Sequence, residues 1–323
     1  MIALTRFATL FVVFVLFTCV GSTSFAKDIT ISDDATCKSA GFTPAKYGTA
    51  KYCVLPKNYV LLQGDKIIVE PTLTGSYFLS TSSPSGVATK SNITINGTLE
   101  LRTVMITSST IYDAYLFIMG SSSGGLRQDT VAVASTGTVS VWGNIHNRGQ
   151  YINQGVTQTI NMGFTNHDVI FNCGSFVNDT GGTLNLNDSS TDGYGFRNSS
   201  PCTSAISATQ FVNRGTINTT SGQMNIMPQS SFQNNSVINI NGYVWADYAF
   251  VNRGGTFANG SGATITIPSR NYGLKIQNGT SAMNSGTITN NNVNGVLNCG
   301  TWSGTAPTPN SYVTSSCSTQ RLQ

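Results

Sequence analysis

Charged residues are scarce in this chain, and their scarcity limits its partners. They make up 9% of the 323 residues, against roughly a quarter in ordinary soluble domains, and Asn, Thr, Ser and Gly take their place. The formal net charge of +4 is too small to indicate the strong basic patch that nucleic-acid binding requires. A mean hydropathy of −0.01 also argues against a disordered charged tail. We therefore expect a folded protein with no nucleic-acid partner.

Zinc-binding motifs are missing, which decides how the cysteines are interpreted. The chain has no Cys-x-x-Cys pair and only two histidines, so a structural zinc site is disfavoured. Of the seven cysteines, Cys19 falls in the apolar N-terminal segment and the other six form three pairs that are local in sequence. Disulfides in an oxidising compartment account for them best, although other pairings remain open. The predicted disulfides are Cys37–Cys53, Cys173–Cys202 and Cys299–Cys317.

The first 26 residues have the features of a signal peptide. Arg6 supplies a positive charge, Leu10–Val20 an apolar core, and Ser24 and Ala26 the small residues before a cleavage site. The apolar core is too short to span a bilayer, and the residues before Cys19 lack the small side chains of a lipoprotein site. We predict cleavage after Ala26, no integral membrane segment in the mature chain, and a secreted, extracellular or cell-surface location.

One pentapeptide recurs along the rest of the chain. FVNRG stands at residues 211–215 and 250–254, and IHNRG stands at 145–149. More generally, an apolar-x-Asn triplet recurs at intervals of 15 to 26 residues. Self-similarity with a period of roughly 20 to 50 residues indicates a solenoid, a propeller or an array. The asparagines that align on this triplet are Asn147, Asn172, Asn198, Asn213, Asn234, Asn252 and Asn278.

Apolar and polar residues alternate in the segments between these triplets. The alternation is clearest at 91–101, 130–143, 236–242 and 262–268, and a period of two with abundant Thr, Val and Ile predicts β-strands. No amphipathic helix of ten or more residues is evident after the signal peptide. We predict an all-β, right-handed parallel β-helix (a β-solenoid) of about 11–12 rungs, each about 4.8 Å high.

Two terminal regions depart from the repeat. Residues 27–60 are less periodic and hold the first cysteine pair, whereas the end of the chain carries two prolines, which cannot donate to a strand ladder. Solenoids need atypical ends because a parallel stack leaves backbone groups unpaired. We predict a disulfide-stapled N-terminal cap at 27–60, the β-helix at 61–300, and a C-terminal cap or tail at 301–323.

The asparagines and glycines suit the corners of such coils. A sharp corner requires positive φ, which Gly reaches freely and Asn tolerates. Equivalent corners of stacked coils lie about 4.8 Å apart, so Asn side chains can hydrogen-bond from coil to coil as a ladder. In FVNRG we predict an inward Phe, a ladder Asn, an exposed Arg and a corner Gly.

The arginines of this motif form a candidate binding site. If the alignment holds, Arg148, Arg214 and Arg253 share one exposed ridge, which would suit an anionic glycan or another cell-surface polymer. The alternative is that the three charges only keep the sheets from associating sideways.

Several segments resemble a known class of repeat. SNITINGTLEL, FVNRGTIN and MNSGTITN are similar to the G-T-[IL]-x-N repeats of secreted right-handed β-helix surface proteins, which include adhesins and autotransporter passengers. The resemblance covers about residues 35–305 and implies a β-helix at a cell surface. The chain departs from autotransporters because no membrane barrel is predicted after residue 305.

An enzyme is the main alternative, because many β-helix proteins of this kind cleave acidic polysaccharides. Glycosidases need two carboxylates, but the chain has no Gly-His-Gly motif, and its one Asp-Asp pair lies in the N-terminal cap. Asp188 and Asp192 fall in a polar insert and are best explained as a solvated loop, and Asn166–Asp168 is a single His beside an Asp. Phosphate-binding loops and nucleophile elbows are missing too. We predict no catalytic, cofactor-binding or metal-binding residue.

The sequence thus favours a secreted, non-catalytic β-helix with a structural or adhesive role at the cell surface or in the extracellular matrix, and self-association is compatible with that role. The alternative is a carbohydrate-binding or polysaccharide-degrading β-helix, in which aromatics such as Trp142 and Tyr248 would stack on sugars. A carboxylate cluster in one groove would favour the enzyme. An Arg or aromatic ridge without carboxylates would favour binding.

Overall fold

The computed structural model describes most of the chain after residue 25. The described residues are 26–72, 75–83, 90–107, 110–120, 129–160, 169–187, 196–199, 209–220, 223–241, 248–314 and 317. Apart from Ala26, the predicted signal peptide lies outside these ranges.

Short β-strands and one short helix make up the described chain. The helix, α1, spans Asp34–Ser39. In chain order the strands are β1 (Asp28–Ile31), β2 (Thr43–Tyr47), β3 (Ala50–Val54), β4 (Val60–Leu61), β5 (Lys66–Val69), β6 (Tyr77–Ser80), β7 (Asn92–Ile95), β8 (Thr98–Leu101), β9 (Thr103–Thr107), β10 (Thr110–Ile118), β11 (Thr130–Val133), β12 (Thr138–Val141), β13 (Asn144–Asn147), β14 (Gln150–Asn153), β15 (Val156–Ile160), β16 (Ile170–Asn172), β17 (Ser175–Asn178), β18 (Thr183–Asn187), β19 (Phe196–Asn198), β20 (Thr209–Asn213), β21 (Thr216–Thr219), β22 (Met224–Ile226), β23 (Ser230–Asn234), β24 (Val237–Ile240), β25 (Phe250–Asn252), β26 (Thr256–Asn259), β27 (Thr264–Ile267), β28 (Leu274–Ile276), β29 (Ser281–Asn284), β30 (Thr287–Asn290), β31 (Val296–Asn298), β32 (Thr301–Gly304) and β33 (Thr308–Pro309).

The strands stack into three long sheets. Sheet A contains β1, β5, β8, β12, β15, β18, β21, β24, β27, β30 and β33. Sheet B contains β2, β3, β6, β10, β13, β16, β19, β22, β25, β28 and β31, with β9 paired to β10, and sheet C contains β4, β7, β11, β14, β17, β20, β23, β26, β29 and β32. Pairing is parallel throughout, except between β2 and β3 and between β9 and β10.

The chain passes through sheets C, A and B in turn, so each coil contributes one strand to every sheet. This arrangement is a parallel β-helix, and the predicted fold class is confirmed. Sheet A has 11 strands, which agrees with the predicted number of rungs. The right-handed winding stays a prediction.

In most strands of sheets A and C alternate side chains enter a continuous core, as the period of two predicts. In β17, Phe176 and Asn178 are buried, whereas Ser175 and Val177 face outward. Aromatic rings on the inner side of sheet C stack on one another with centroids 4.7 to 5.4 Å apart. These rings form the inner aromatic row, whose members are Tyr151, Phe176, Phe211, Phe232 and Phe257.

Both ends of the stack are closed by irregular structure. Helix α1 begins with a capping box, in which the Asp33 carboxylate accepts the Thr36 N–H at 2.8 Å. The Cys37–Cys53 disulfide ties this helix to β3. At the other end, Leu297 of β31 pairs with Val313. The bridge to Val313 pairs part of the β31 edge, which would otherwise be open.

Two of the three predicted disulfides are formed, Cys37–Cys53 and Cys299–Cys317. Cys173 is also disulfide-bonded, but its predicted partner, Cys202, lies outside the described residues.

The connections between strands differ sharply in length from one corner to another. Every connection from sheet C to sheet A has two to four residues. Connections that enter or leave sheet B include six of eight to eleven residues, namely 81–91, 119–129, 161–169, 188–195, 199–208 and 241–249. All the long connections of the coils therefore flank sheet B.

Candidate functional site

Two separate columns of buried asparagine run along the coils, one on each of two sheets. The C-edge ladder, at the ends of the sheet C strands, is Asn153, Asn178, Asn213, Asn234, Asn259 and Asn284. The B-edge ladder, at the ends of the sheet B strands, is Asn147, Asn172, Asn198, Ile226, Asn252, Ile276 and Asn298. The first ladder is an unbroken run of asparagine, and the second is interrupted by isoleucine.

Ladder amides hydrogen-bond the backbone at a corner, and most of them also hydrogen-bond a neighbouring asparagine of the column. The Asn147 side chain accepts the Gly149 N–H at 3.1 Å. Its Nδ2 donates to the Asn172 Oδ1 at 2.8 Å and to the Ser175 carbonyl at 2.9 Å. A corner buried without such a partner would leave backbone groups unpaired. The asparagine is therefore a structural part of every corner at which it occurs.

These positions correct the prediction of a single ladder. Asn147, Asn172, Asn198 and Asn252 belong to the B-edge ladder, whereas Asn213 and Asn234 belong to the C-edge ladder. The predicted ladder residue Asn278 belongs to neither, because it lies in an exposed turn after β28. The repeated pentapeptide thus occurs at two different corners of the coil. At both corners a side-chain amide hydrogen-bonds the backbone.

The arginine ridge is corrected for the same reason. Arg148 and Arg253 follow strands of sheet B, but Arg214 follows a strand of sheet C. Arg214 forms an ion pair with Asp179 at 3.3 Å, and the Arg253 Nε donates to the Asn225 Oδ1 at 2.5 Å. The three guanidinium groups therefore have different surroundings and do not form one surface.

The outer face of sheet B carries a different feature, a row of aromatic side chains. Phe78 stacks on Tyr115 with the ring centroids 4.5 Å apart, and His146 lies 5.9 Å from Phe117 and 5.5 Å from Phe171. All five rings are half-buried and occupy facing positions of β6, β10, β13 and β16. We name this group the aromatic platform: Phe78, Tyr115, Phe117, His146 and Phe171.

Two arginines border the platform. The Arg148 guanidinium lies 5.1 Å from the centre of the Phe117 ring, and that of Arg197 lies 5.7 Å from the Phe171 ring. Both distances are within the range of a cation–π contact. The platform thus combines flat apolar surface with positive charge at its rim.

The surroundings of the platform shift two pKa values. Burial lowers the pKa of His146 to about 4, and the neighbouring Arg148 charge contributes to this lowering. Burial, together with the nearby Asp113 carboxylate, raises the pKa of Tyr115 to about 12. Both side chains are therefore neutral near pH 7, so they offer the platform ring faces and hydrogen-bonding groups without charge.

Carboxylates are scarce on this face. Within the strands of sheet B, all of which are described, the one acidic residue is Asp113, and it is 4% exposed. Its carboxylate accepts from Thr103 Oγ1 at 2.9 Å and from Asn144 Nδ2 at 3.0 Å. Asp129, immediately before β11, is fully buried and accepts from Thr81 Oγ1 at 2.7 Å. Both carboxylates are engaged in holding the fold.

The structure does not describe several residues that the sequence offers as catalytic candidates. Asn166–Asp168, Asp188 and Asp192 lie outside the described residues. Among the residues that are described, no group of three or more His, Cys, Asp or Glu side chains could hold a metal ion. In the same part of the chain no helix is long and apolar enough to cross a membrane.

Comparison with family models, with curated proteins and with solved structures finds no match. The parallel β-helix therefore stands on the geometry of the chain itself.

The sequence contained a signal for the platform that the ladder alignment overlooked. In the apolar-x-Asn triplets of β13, β16 and β19 the middle residue faces outward, and it is His146, Phe171 and Arg197 in turn. In β10, Tyr115 and Phe117 alternate with buried Ala114 and Leu116. Bulky rings at outward positions could have marked this face.

Proposed function

We propose that this protein is a secreted, non-catalytic β-helix with an adhesive role at the cell surface or in the extracellular matrix, and that it attaches to a polysaccharide through the aromatic platform. The observation that carries the proposal is the row of half-buried rings, in contact with one another, on the outside of sheet B. Rings turned outward contribute less to the core than rings turned inward. Their presence on one face therefore needs another reason.

The position of the platform supports binding. In repeat architectures, insertions tend to collect on one face, which is often the binding face, and binding residues are commonly held beside loops on a rigid scaffold. Here all the connections of eight or more residues flank sheet B. The strands of sheet C, which are all described, contain no charged residue and no comparable outward stack.

The chemistry of the platform suits a sugar polymer. Aromatic faces bury apolar surface with little loss of conformational freedom, and sugar rings present flat C–H faces that can lie on them. Four coils separated by about 4.8 Å give a platform about 15 Å long, which extends along the direction of a bound chain. Arg148 and Arg197 place positive charge beside it, which favours an anionic polymer.

A matched pair of double variants tests the proposal. Phe117→Ser with Phe171→Ser removes two platform rings, whereas Val177→Ser with Val212→Ser removes two paired, half-buried apolar residues from the outside of sheet C. Retention on a panel of immobilised neutral and anionic polysaccharides should fall at least tenfold for the first double variant and stay unchanged for the second. Equal retention of the two variants would refute the proposal.

Two further measurements test whether the rim arginines contribute to binding and whether the protein cleaves the polymer. If the rim arginines take part, retention on an anionic polymer such as heparin should weaken as salt is added, because exposed charges are screened over about 10 Å at 0.1 M. Wild-type protein should release no reducing ends or unsaturated products from the same panel.

A polysaccharide-degrading enzyme is the second candidate. The observation that favours it lies in the sequence, where Asp168, Asp188, Asp192 and Asp247 all fall in the long connections that lead from sheet A to sheet B. Product release that is lost in Asp168→Asn or Asp188→Asn would replace the adhesive role by catalysis.

A further inference from the structure

Four glycosylation sequons of the chain fall on ladder asparagines. The Asn-x-Ser/Thr pattern, which marks acceptors of asparagine-linked glycans, occurs nine times. At four of the nine, the acceptor is a ladder residue with 0% exposure: Asn178, Asn198, Asn234 and Asn259. We infer that asparagine-linked glycosylation and the folding of this chain exclude each other at these four positions.

The hydrogen bonds of the ladder leave no place for a sugar. The Asn178 Nδ2 uses both of its hydrogens, donating to the Asn213 Oδ1 at 2.8 Å and to the Thr216 carbonyl at 3.0 Å. The Asn234 Nδ2 donates to the Asn259 Oδ1 at 2.7 Å. Each nitrogen is therefore in contact with the next coil of the stack.

Glycosylation would change that nitrogen. The reaction joins Nδ2 to the anomeric carbon of an oligosaccharide, the lipid diphosphate that carried the sugar leaves, and the nitrogen gives up one proton. One donor of the ladder is then lost, and a bulky group takes the space of the neighbouring coil. Because a glycan is solvated and bulky, the next coil cannot stack, and the chain cannot close the ladder at that rung.

Two other sequons behave differently. Asn92 faces outward from β7, and Asn278 lies in the exposed turn after β28. Neither side chain belongs to a ladder, so a glycan there would extend into solvent. The fold thus tolerates modification at Asn92 and Asn278 and excludes it at the four ladder positions.

This difference bears on how the protein is exported. Oligosaccharide transfer in a glycosylating secretory pathway acts on the chain before it has folded, when all nine sequons are accessible. A chain whose fold depends on four unmodified sequons is suited to an export route that leaves asparagine unmodified. The inference concerns the ladders alone and does not depend on polysaccharide binding by the platform.

The third residue of each sequon allows a clean test. Thr180→Ala, Ser236→Ala and Ser261→Ala remove three sequons at side chains that are exposed or half-buried, and Ser200→Ala, outside the described residues, removes the fourth. All four ladder amides stay in place. The matched control, Asn92→Gln with Asn278→Gln, removes the two exposed sequons and leaves the ladder sequons available.

The full-length chain and both variants would be secreted from a glycosylating eukaryotic host. We expect the yield of folded protein to rise at least fivefold for the quadruple variant and to stay unchanged for the control. Site-by-site mass spectrometry of folded wild-type protein should find glycan at Asn92 and Asn278 and none at the ladder positions. Equal yields for wild type and quadruple variant, or folded molecules with a glycan on a ladder asparagine, would overturn the inference.

Discussion

Two aromatic rows run along this β-helix at similar spacing, and they face opposite ways. In the inner aromatic row the ring centroids are 4.7 to 5.4 Å apart, and each ring is at most 2% exposed. In the aromatic platform neighbouring rings are 4.5 to 5.9 Å apart, and each remains half-buried. Strand spacing sets the distance between neighbouring rings in both rows. The difference between them is therefore one of environment.

The comparison teaches that stacking alone does not indicate a role. An inner ring is surrounded by core side chains on every side, so its removal leaves a cavity. A platform ring already contacts solvent and loses less when it is removed. The fold accounts for the inner row, and we propose that binding accounts for the outer one.

The largest predicted effect follows from this contrast. Phe211 packs between Phe176 and Phe232, with both ring distances at 5.0 Å, so Phe211→Ala should lower the free energy of unfolding by about 3–5 kcal/mol. Phe171→Ala, on the platform, should lower it by about 1 kcal/mol, because the ring is half-buried. Chemical denaturation of both variants measures the difference. Similar losses of unfolding free energy in the two variants would contradict the distinction between the rows.

A smaller effect concerns acid. The pKa of His146 is about 4 in the folded chain and about 6.5 when unfolded, so between these values the unfolded state binds the proton more readily. Stability should consequently fall as the pH drops through this window, by about 2 kcal/mol at pH 4.5. His146→Phe keeps an aromatic ring and should lose this part of the acid sensitivity. The unfolding free energies of wild type and His146→Phe should be measured at pH 7 and pH 4.5. The prediction is wrong if both proteins lose the same stability between these two pH values.

The two asparagine ladders offer a second comparison, on a smaller energy scale. In the C-edge ladder six amides follow one another, and every corner beside them has two to four residues. In the B-edge ladder Ile226 and Ile276 interrupt the column. The Asn147 side chain accepts the N–H of Gly149, two residues later. Two residues after Ile226 stands Pro228, and proline has no N–H for an asparagine side chain to accept. The interrupted ladder thus occurs on the sheet that also has the long connections.

Much of this fold could be predicted from the sequence. Alternation in segments such as 130–143 predicted strands, the apolar-x-Asn interval predicted coils, and neighbouring cysteines predicted Cys37–Cys53 and Cys299–Cys317, which are formed. These features depend on local requirements, such as a period of two or an amide at a corner, which a sequence displays directly.

The assignment of repeats to faces could not be predicted in the same way. Asn198 and Asn213 are only 15 residues apart because they end consecutive strands of one coil, on sheets B and C. Both corners place the same demand on an asparagine, so their motifs are nearly identical, and a single alignment merged them. The merged alignment also placed Arg214 on the same edge as Arg148 and Arg253, although it follows a strand of sheet C.

The central claim about stability is that an unbroken ladder fixes one edge of the coils more firmly than an interrupted one. The most direct measurement is the difference in unfolding free energy between Asn213→Ile and Asn252→Ile. Asn213 accepts a hydrogen bond from Asn178 at 2.8 Å and donates one to Asn234 at 2.7 Å, whereas Asn252 lies between Ile226 and Ile276. Asn213→Ile should be the more destabilising by about 1–2 kcal/mol. Equal losses, or a larger loss for Asn252→Ile, would contradict the claim.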